Sequence, residues 1–482
     1  MLEHILRRMG FGATQADLAY WADLPLTTVI TQLLNYESLP ADVDSKIGNP
    51  AYAGITTAAG QPFSPDTLIN DARQRWLFRI LHSQRPLEEK LALFWHNHFA
   101  TAYSKVAGNS SGEWGTRMMD GDPKNFNGNG RGQIQLLRQY ATGNFRDLLI
   151  ELAKDPAMIY WLDGRTNTRT RPQENFGREI MELFTMGIGN YTEQDVYAAA
   201  RVFTGYNVEL VGDRNDRVNS YYRYIYRPTD HDTNAKEFTF AIYPDGSKTI
   251  PARAATAGEQ DGVDFINALA RHPATAQRLV TRLYKFFINE TRDPDPAFIN
   301  QVAQTYMTSN YSIKATLQKL LISEPFLNPS NMWQRYSWPV EYVARAIKET
   351  GWTGFSVNTA MTPLLNMGQQ LFEPPDVNGW ELGPGWFSTS SMLNRMNFSS
   401  TLAANQRFNL ARDAQPYKQA PERVLEYMLS RFQTTGFESG ATAAMMEYLR
   451  SGAAWTGSDA QLQQKVPGLT RLIVGAGEYQ FN

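Results

Sequence analysis

The chain has 482 residues, 42% hydrophobic and 20% charged, a composition that excludes a disordered protein and supports a sizeable core. Lys and Arg total 46 against 48 Asp and Glu, so the net charge of -2 offers nucleic acid no general attraction. Cysteine is absent, which removes disulfides, thiol nucleophiles and thiolate metal sites, and no apolar stretch reaches the ~18 residues of a membrane span.

Helical periodicity dominates from the start. Thr14 predicts an N-cap with Leu18 and Trp21 behind it, and amphipathic helices follow over 66–83 and 87–101. Residues 108–132 are rich in glycine and lack a period, which predicts a long exposed loop that folding can spare. Helices resume over 144–154, 174–186 and 192–204, with Asn144 and Thr192 as caps and Asp195 three residues after Thr192.

At 206–250 the pattern switches to alternation. Tyr222, Tyr224 and Tyr226 oppose Arg223, Ile225 and Arg227, and Asp245-Gly246 marks a turn, so a small antiparallel β insertion is predicted. Further helices are predicted over 261–271, 273–289, 312–322 (capped by Ser312), 339–350 and 389–410. The stretch 371–388, rich in Pro, Gly and Trp, predicts a rigid irregular loop. The predicted fold class is mainly α, one large helical domain. Its first helical part, with the main motif block, is 1–205, the β insertion is 206–250, and a second part at 251–482 shares the same core.

One helix concentrates ionisable side chains. Glu174, Arg178 and Glu182 fall at i, i+4, i+8 and share a stripe, with Asn175 and Glu179 on the stripe beside it. Crowded carboxylates around a guanidinium suit acid–base or metal chemistry. The same spacing also suits a solvated charge ladder worth about 0.3–0.5 kcal/mol per pair. His96 and His98, two apart on a helix, point about 200° from each other, so at most one faces a site and the other packs or is solvated. Asp163, following Trp161-Leu162, places another carboxylate at a turn. The catalytic candidates are therefore Glu174, Arg178, Glu179, Glu182, His96, His98 and Asp163. Candidate substrate contacts are Asn175, Asn190 at the glycine-rich helix exit, His231 and Lys236 in the insertion, and Trp380 and Trp386 as stacking platforms for sugars. Gly-x-Ser-x-Gly, P-loop, dinucleotide and His-Glu-x-x-His motifs are all missing.

Phe94-Trp95-His96-Asn97-His98-Phe99-Ala100-Thr101 resembles the signature of a bacterial family catalogued as Domain of Unknown Function 1800. The resemblance continues through Asn144–Leu149, Asp155–Met158, Trp161–Gly164, Glu174–Thr185, Gly187–Glu193, His231-Asp232 and Leu371–Val377, and begins at Arg7-Arg8 and Gly10-Phe11-Gly12. Two departures stand out: Gln173 where Asn is usual, and Ser337-Trp338-Pro339 in place of a Lys-Ser-Pro pattern.

The resemblance implies an exported protein, periplasmic or extracellular, with its leader absent from this chain. Family members are often encoded beside a sulfatase-like protein. No activity comes with the resemblance. Three functions fit the residues. The first is a carboxylate/histidine hydrolase or lyase acting on an extracellular polymer such as a glycan. The second is a non-catalytic binding or assembly partner of the sulfatase-like protein. The third is a metal-dependent enzyme whose carboxylates and one histidine hold a divalent cation such as Fe, Mn or Zn. Neither nucleic acid nor a membrane span belongs to any of these expectations.

Overall fold

The computed structural model describes residues 1–126, 129–434 and 437–482, and its regular secondary structure is mainly α-helical. Where a cap and a period coincide in the sequence, a helix forms there. Thr14 and Thr192 each close a capping box, with the Asp17 and Asp195 carboxylates accepting the backbone N–H of the cap residue. Asn144 and Ser312 cap the Phe145–Ala153 and Ile313–Leu321 helices. These two helix starts also pair with each other, since Phe145 N–H donates to the Tyr311 carbonyl at 3.0 Å and Ile313 N–H to Gly143 at 2.9 Å.

The β insertion is present and modest. Strand β1 (Tyr206–Val211) pairs antiparallel with β2 (Tyr221–Tyr226), Tyr206 opposite Tyr226 and Val211 opposite Tyr221. Strands β3 (Lys236–Glu237) and β4 (Thr249–Ile250) form a second short pair. The alternating tyrosines of β2 pack inward: Tyr222 meets Trp114 and Tyr160 edge-on, and Tyr224 meets Tyr206. Apolar burial is continuous from Ile5 to Tyr479, so the early and late helices share one core. A buried ion pair ties them: Lys90 on the Pro86–His98 helix bonds Glu341 on the Pro339–Thr350 helix.

The glycine-rich stretch 108–132 departs from expectation. Ser111 caps a helix over Gly112–Asp120, whose residues from Trp114 to Asp120 are buried. Gly115 is the reason for the misreading. A Cβ there would lie 2.7 Å from Ala107, so glycine lets this helix press against the Tyr103–Gly108 helix. The remainder of the stretch includes residues 127–128, which lie outside the described residues. The 371–388 loop is irregular as expected, with a single 3-10 turn over Gly383–Phe387.

Candidate functional site

The helix that carries the carboxylates is not regular. Asn175–Glu179 is α-helical, but Ile180–Phe184 winds as a wider π-turn. The Thr185 hydroxyl donates to the Ile180 carbonyl at 2.5 Å and Gly187 N–H to Met181 at 2.9 Å, which ends the segment. Such turns are enriched at functional sites, because a wider turn re-aims side chains. Here it takes Glu182 off the predicted stripe. Arg178 keeps its i, i+4 bond to Glu174 at 3.3 Å and adds a bidentate one to Glu193 at 2.7 and 2.8 Å. Glu182 pairs elsewhere, accepting the Tyr191 hydroxyl, with Arg278 adding positive charge nearby.

Glu179 is left over. It is half-buried, and its carboxylate makes no hydrogen bond or ion pair with any described residue. Burial, reinforced by the Glu182 charge and opposed by Arg178, pushes its pKa up to about 6. Asp163 joins the start of the same face. Its backbone is left-handed (φ 61°), and its Oδ2 accepts from Lys105 Nζ at 3.0 Å and Asn175 Nδ2 at 3.2 Å. Glu174, Asn175, Arg178, Glu179, Glu182 and Asp163 therefore gather on one partly exposed surface.

Neither histidine reaches that surface. His96 and His98 are 1% and 2% exposed, and they serve the packing of the motif that holds them. His98 Nε2–H donates to the Phe184 carbonyl at 3.0 Å, bracing the π-turn from behind. His96 sits among Trp76, Phe372 and Trp380. Between them, Asn97 Oδ1 accepts the Trp380 N–H at 2.6 Å. Burial pushes His96 down to about 3, and burial plus the Arg282 and Arg278 charges hold His98 well below the usual imidazole value. Both are neutral at pH 7 and poorly matched to general-base work there.

Four of the expected substrate contacts are corrected in the same way. His231 and Lys236 are fully buried and converge on Asp261, at 3.2 and 2.6 Å, with Arg253 Nε 3.4 Å from its other oxygen. Trp380 and Trp386 are 3% and 5% exposed, and their rings face His96 and Trp338. A buried ring is no stacking platform for a sugar. Asn190 stays at the surface, but its side chain donates to the Met186 and Gly187 carbonyls and closes the helix end.

The family model described as Protein of unknown function (DUF1800) matches residues 4–481. The chain belongs to that family. No curated protein and no solved structure matches it. The span that marks it as a DUF1800 protein takes in the carboxylate face and the buried His96-Asn97-His98 hub alike, so membership singles out neither. Among the described residues, no three His, Cys, Asp or Glu side chains are grouped to hold a metal ion, and no helix is long and apolar enough to cross a membrane.

Four residues of this face in the DUF1800 chain escaped sequence reasoning: Tyr191, Glu193, Lys105 and Arg278. Glu193 follows the legible cap Thr192, so its closeness to Arg178 had a local signal. Lys105 and Arg278 arrive from the separate helices Tyr103–Gly108 and Pro273–Phe287, and no spacing announces them.

Proposed function

We propose that the face around Glu179 carries general acid–base chemistry, and that the protein is a hydrolase or lyase of an extracellular polymer such as a glycan, working outside the cytoplasm. The observation that carries this reading is Glu179 itself. A half-buried carboxylate with no hydrogen-bond or ion-pair partner among the described residues, beside a second carboxylate held by Tyr191, is an arrangement that structural charge ladders avoid and acid–base pairs require. An open face rimmed by exposed Glu174, Asn175 and Glu193 favours an extended substrate over a small enclosed one.

In this reading protonated Glu179 gives its proton to the oxygen leaving the cleaved bond. Glu182 takes a proton, from the attacking water in hydrolysis or from substrate carbon in elimination. Arg178 and Lys105 are occupied by Glu193, Glu174 and Asp163, and they fix the rim.

The test is a panel of bacterial and plant polysaccharides, read by new reducing ends and by absorbance of unsaturated products. Native protein should cleave at least one polymer. Glu179→Gln should lose about 100-fold or more in rate with its thermal midpoint nearly unchanged. Full activity in that variant, or cleavage of no polymer by the native protein, would sink the reading.

A further inference from the structure

A cavity of about 930 Å³ opens among the Leu2–Arg8, Gln15–Trp21 and Leu26–Leu34 helices, and it shares no residue with the Glu179 face. Its size lies in the upper part of the ~300–1,000 Å³ range of small-molecule sites. Leu6, Met9, Leu33, Leu39 and Pro86 supply an apolar wall.

Four charged side chains also line it: Asp17, Glu37, Lys314 and Lys348. Three are already engaged. Asp17 Oδ2 accepts from the Thr14 amide and hydroxyl, both at 2.8 Å, and Glu37 accepts from Lys314 at 3.1 Å and Thr142 at 2.9 Å. Lys348 is the exception. It is 9% exposed, yet its ammonium makes no hydrogen bond or ion pair with any described residue. Glu349, its neighbour in sequence, is turned to Arg345 at 3.0 Å and to the Tyr479 hydroxyl at 2.5 Å. Burial pushes the Lys348 pKa down, and Asp17 offsets this only from a distance. An unpaired ammonium in an apolar wall is unfavourable unless something anionic joins it.

We propose that this cavity binds a small amphipathic carboxylate, its apolar body against Leu6, Met9, Leu33, Leu39 and Pro86 and its carboxylate on Lys348 Nζ. Of the two lining cations Lys314 is held by Glu37, so Lys348 alone is left to meet an anion, which fits a singly charged head. A doubly charged phosphate would call for a second free cation or a guanidinium fork, and among the described residues no arginine lines the cavity. The site also gives a place to Gly10-Phe11-Gly12, which the carboxylate face leaves unused. Gly10 and Gly12 both line the cavity, and Gly12 turns at φ +82° with Arg345 so close that a Cβ would lie 3.1 Å from its Cγ.

Sodium decanoate, kept below micelle formation, is the probe, with 1-decanol as its neutral counterpart. Calorimetric titration of the full chain should give saturable binding of one decanoate per chain, tighter than decanol. Lys348→Met should weaken decanoate by about 10-fold or more and leave decanol unchanged. Lys348→Met removes a buried unpaired charge, so its melting point should hold or rise. Should it fail to fold, the native chain with ¹³C-dimethylated lysines answers the same question: one lysine resonance should move on adding decanoate and stay still with decanol. Decanoate that never saturates, binds no tighter than decanol, binds the variant equally well, or moves no lysine resonance overturns the proposal.

Discussion

Glu341 and Glu179 both sit on helices, and the protein treats them in opposite ways. Glu341 is 1% exposed and accepts from Lys90, Arg335, the Trp338 amide at 3.0 Å and Asn482 Nδ2 at 3.2 Å. Burial alone would raise its pKa, but Arg335 and Lys90 outweigh it and hold Glu341 down at about 2. Glu179 is less buried, accepts from none of the described residues, and is pushed up to about 6. Glu341 is satisfied deep in the interior, while the more exposed face leaves Glu179 unsatisfied among the described residues. A fold does not need Glu179 in that state, which is why its chemistry stands out against Glu341 and not against an average surface residue.

The largest effect belongs to the buried side. Glu341→Gln keeps the shape but leaves Lys90 and Arg335 facing a neutral group in the core. It should cost about 3–5 kcal/mol in urea unfolding. A loss below about 1 kcal/mol would erase the contrast, because it would mean that the interior tolerates an unmet charge as easily as the surface.

That contrast was only half legible in the sequence. Elements set by local rules were visible: the capping boxes at Thr14 and Thr192, the caps at Asn144 and Ser312, and the alternating strand Tyr221–Tyr226. The Gly112–Asp120 helix was hidden because its glycine answers to a neighbouring helix, a tertiary demand that local propensity counts as a loop. In the site, the Glu174–Arg178 pair followed from spacing, since i, i+4 is a property of the helix alone. Glu182 did not, because the π-turn moves it and its partner Tyr191 belongs to the next segment. Geometry did separate the directions of His96 and His98. It could not say that both directions lead into protein, since burial is set by what the Leu371–Trp386 stretch and the π-turn lay over them.

A middle-sized effect concerns pH. The pKa of Glu179 is raised from an ordinary 4.5 to about 6, so between those values the folded protein holds a proton that the unfolded chain has lost. Stability from this group is present below pH ~4.5 and is lost as pH rises towards ~6. Glu179→Gln should therefore match native stability near pH 4 and gain slightly on it above pH 6. The difference between the two proteins isolates this group from buried Asp120 and Asp155, which burial raises to about 6 and about 7. Glu182→Gln should act on the same window, lowering the Glu179 midpoint in a carboxyl ¹³C NMR titration by removing a neighbouring charge. An unmoved midpoint would show that the two carboxylates are not a pair.

The smallest effect on stability should come from Arg178→Ala, and its smallness is informative. Arg178, Glu174 and Glu193 have side chains 31%, 48% and 76% exposed, so their ion pairs form in water and exchange one solvation for another. At physiological salt the melting point should move by under about 1 °C. The guanidinium nevertheless draws the Glu179 pKa down against burial and Glu182, so its removal should let the midpoint climb further above 6. Stability and titration would thus separate: a near-silent melt with a displaced midpoint is what a tuned acid on a stable scaffold gives. Loss of several degrees, with the midpoint fixed, would instead make the ladder a strut like Arg335–Glu341, and Glu179 a bystander to it.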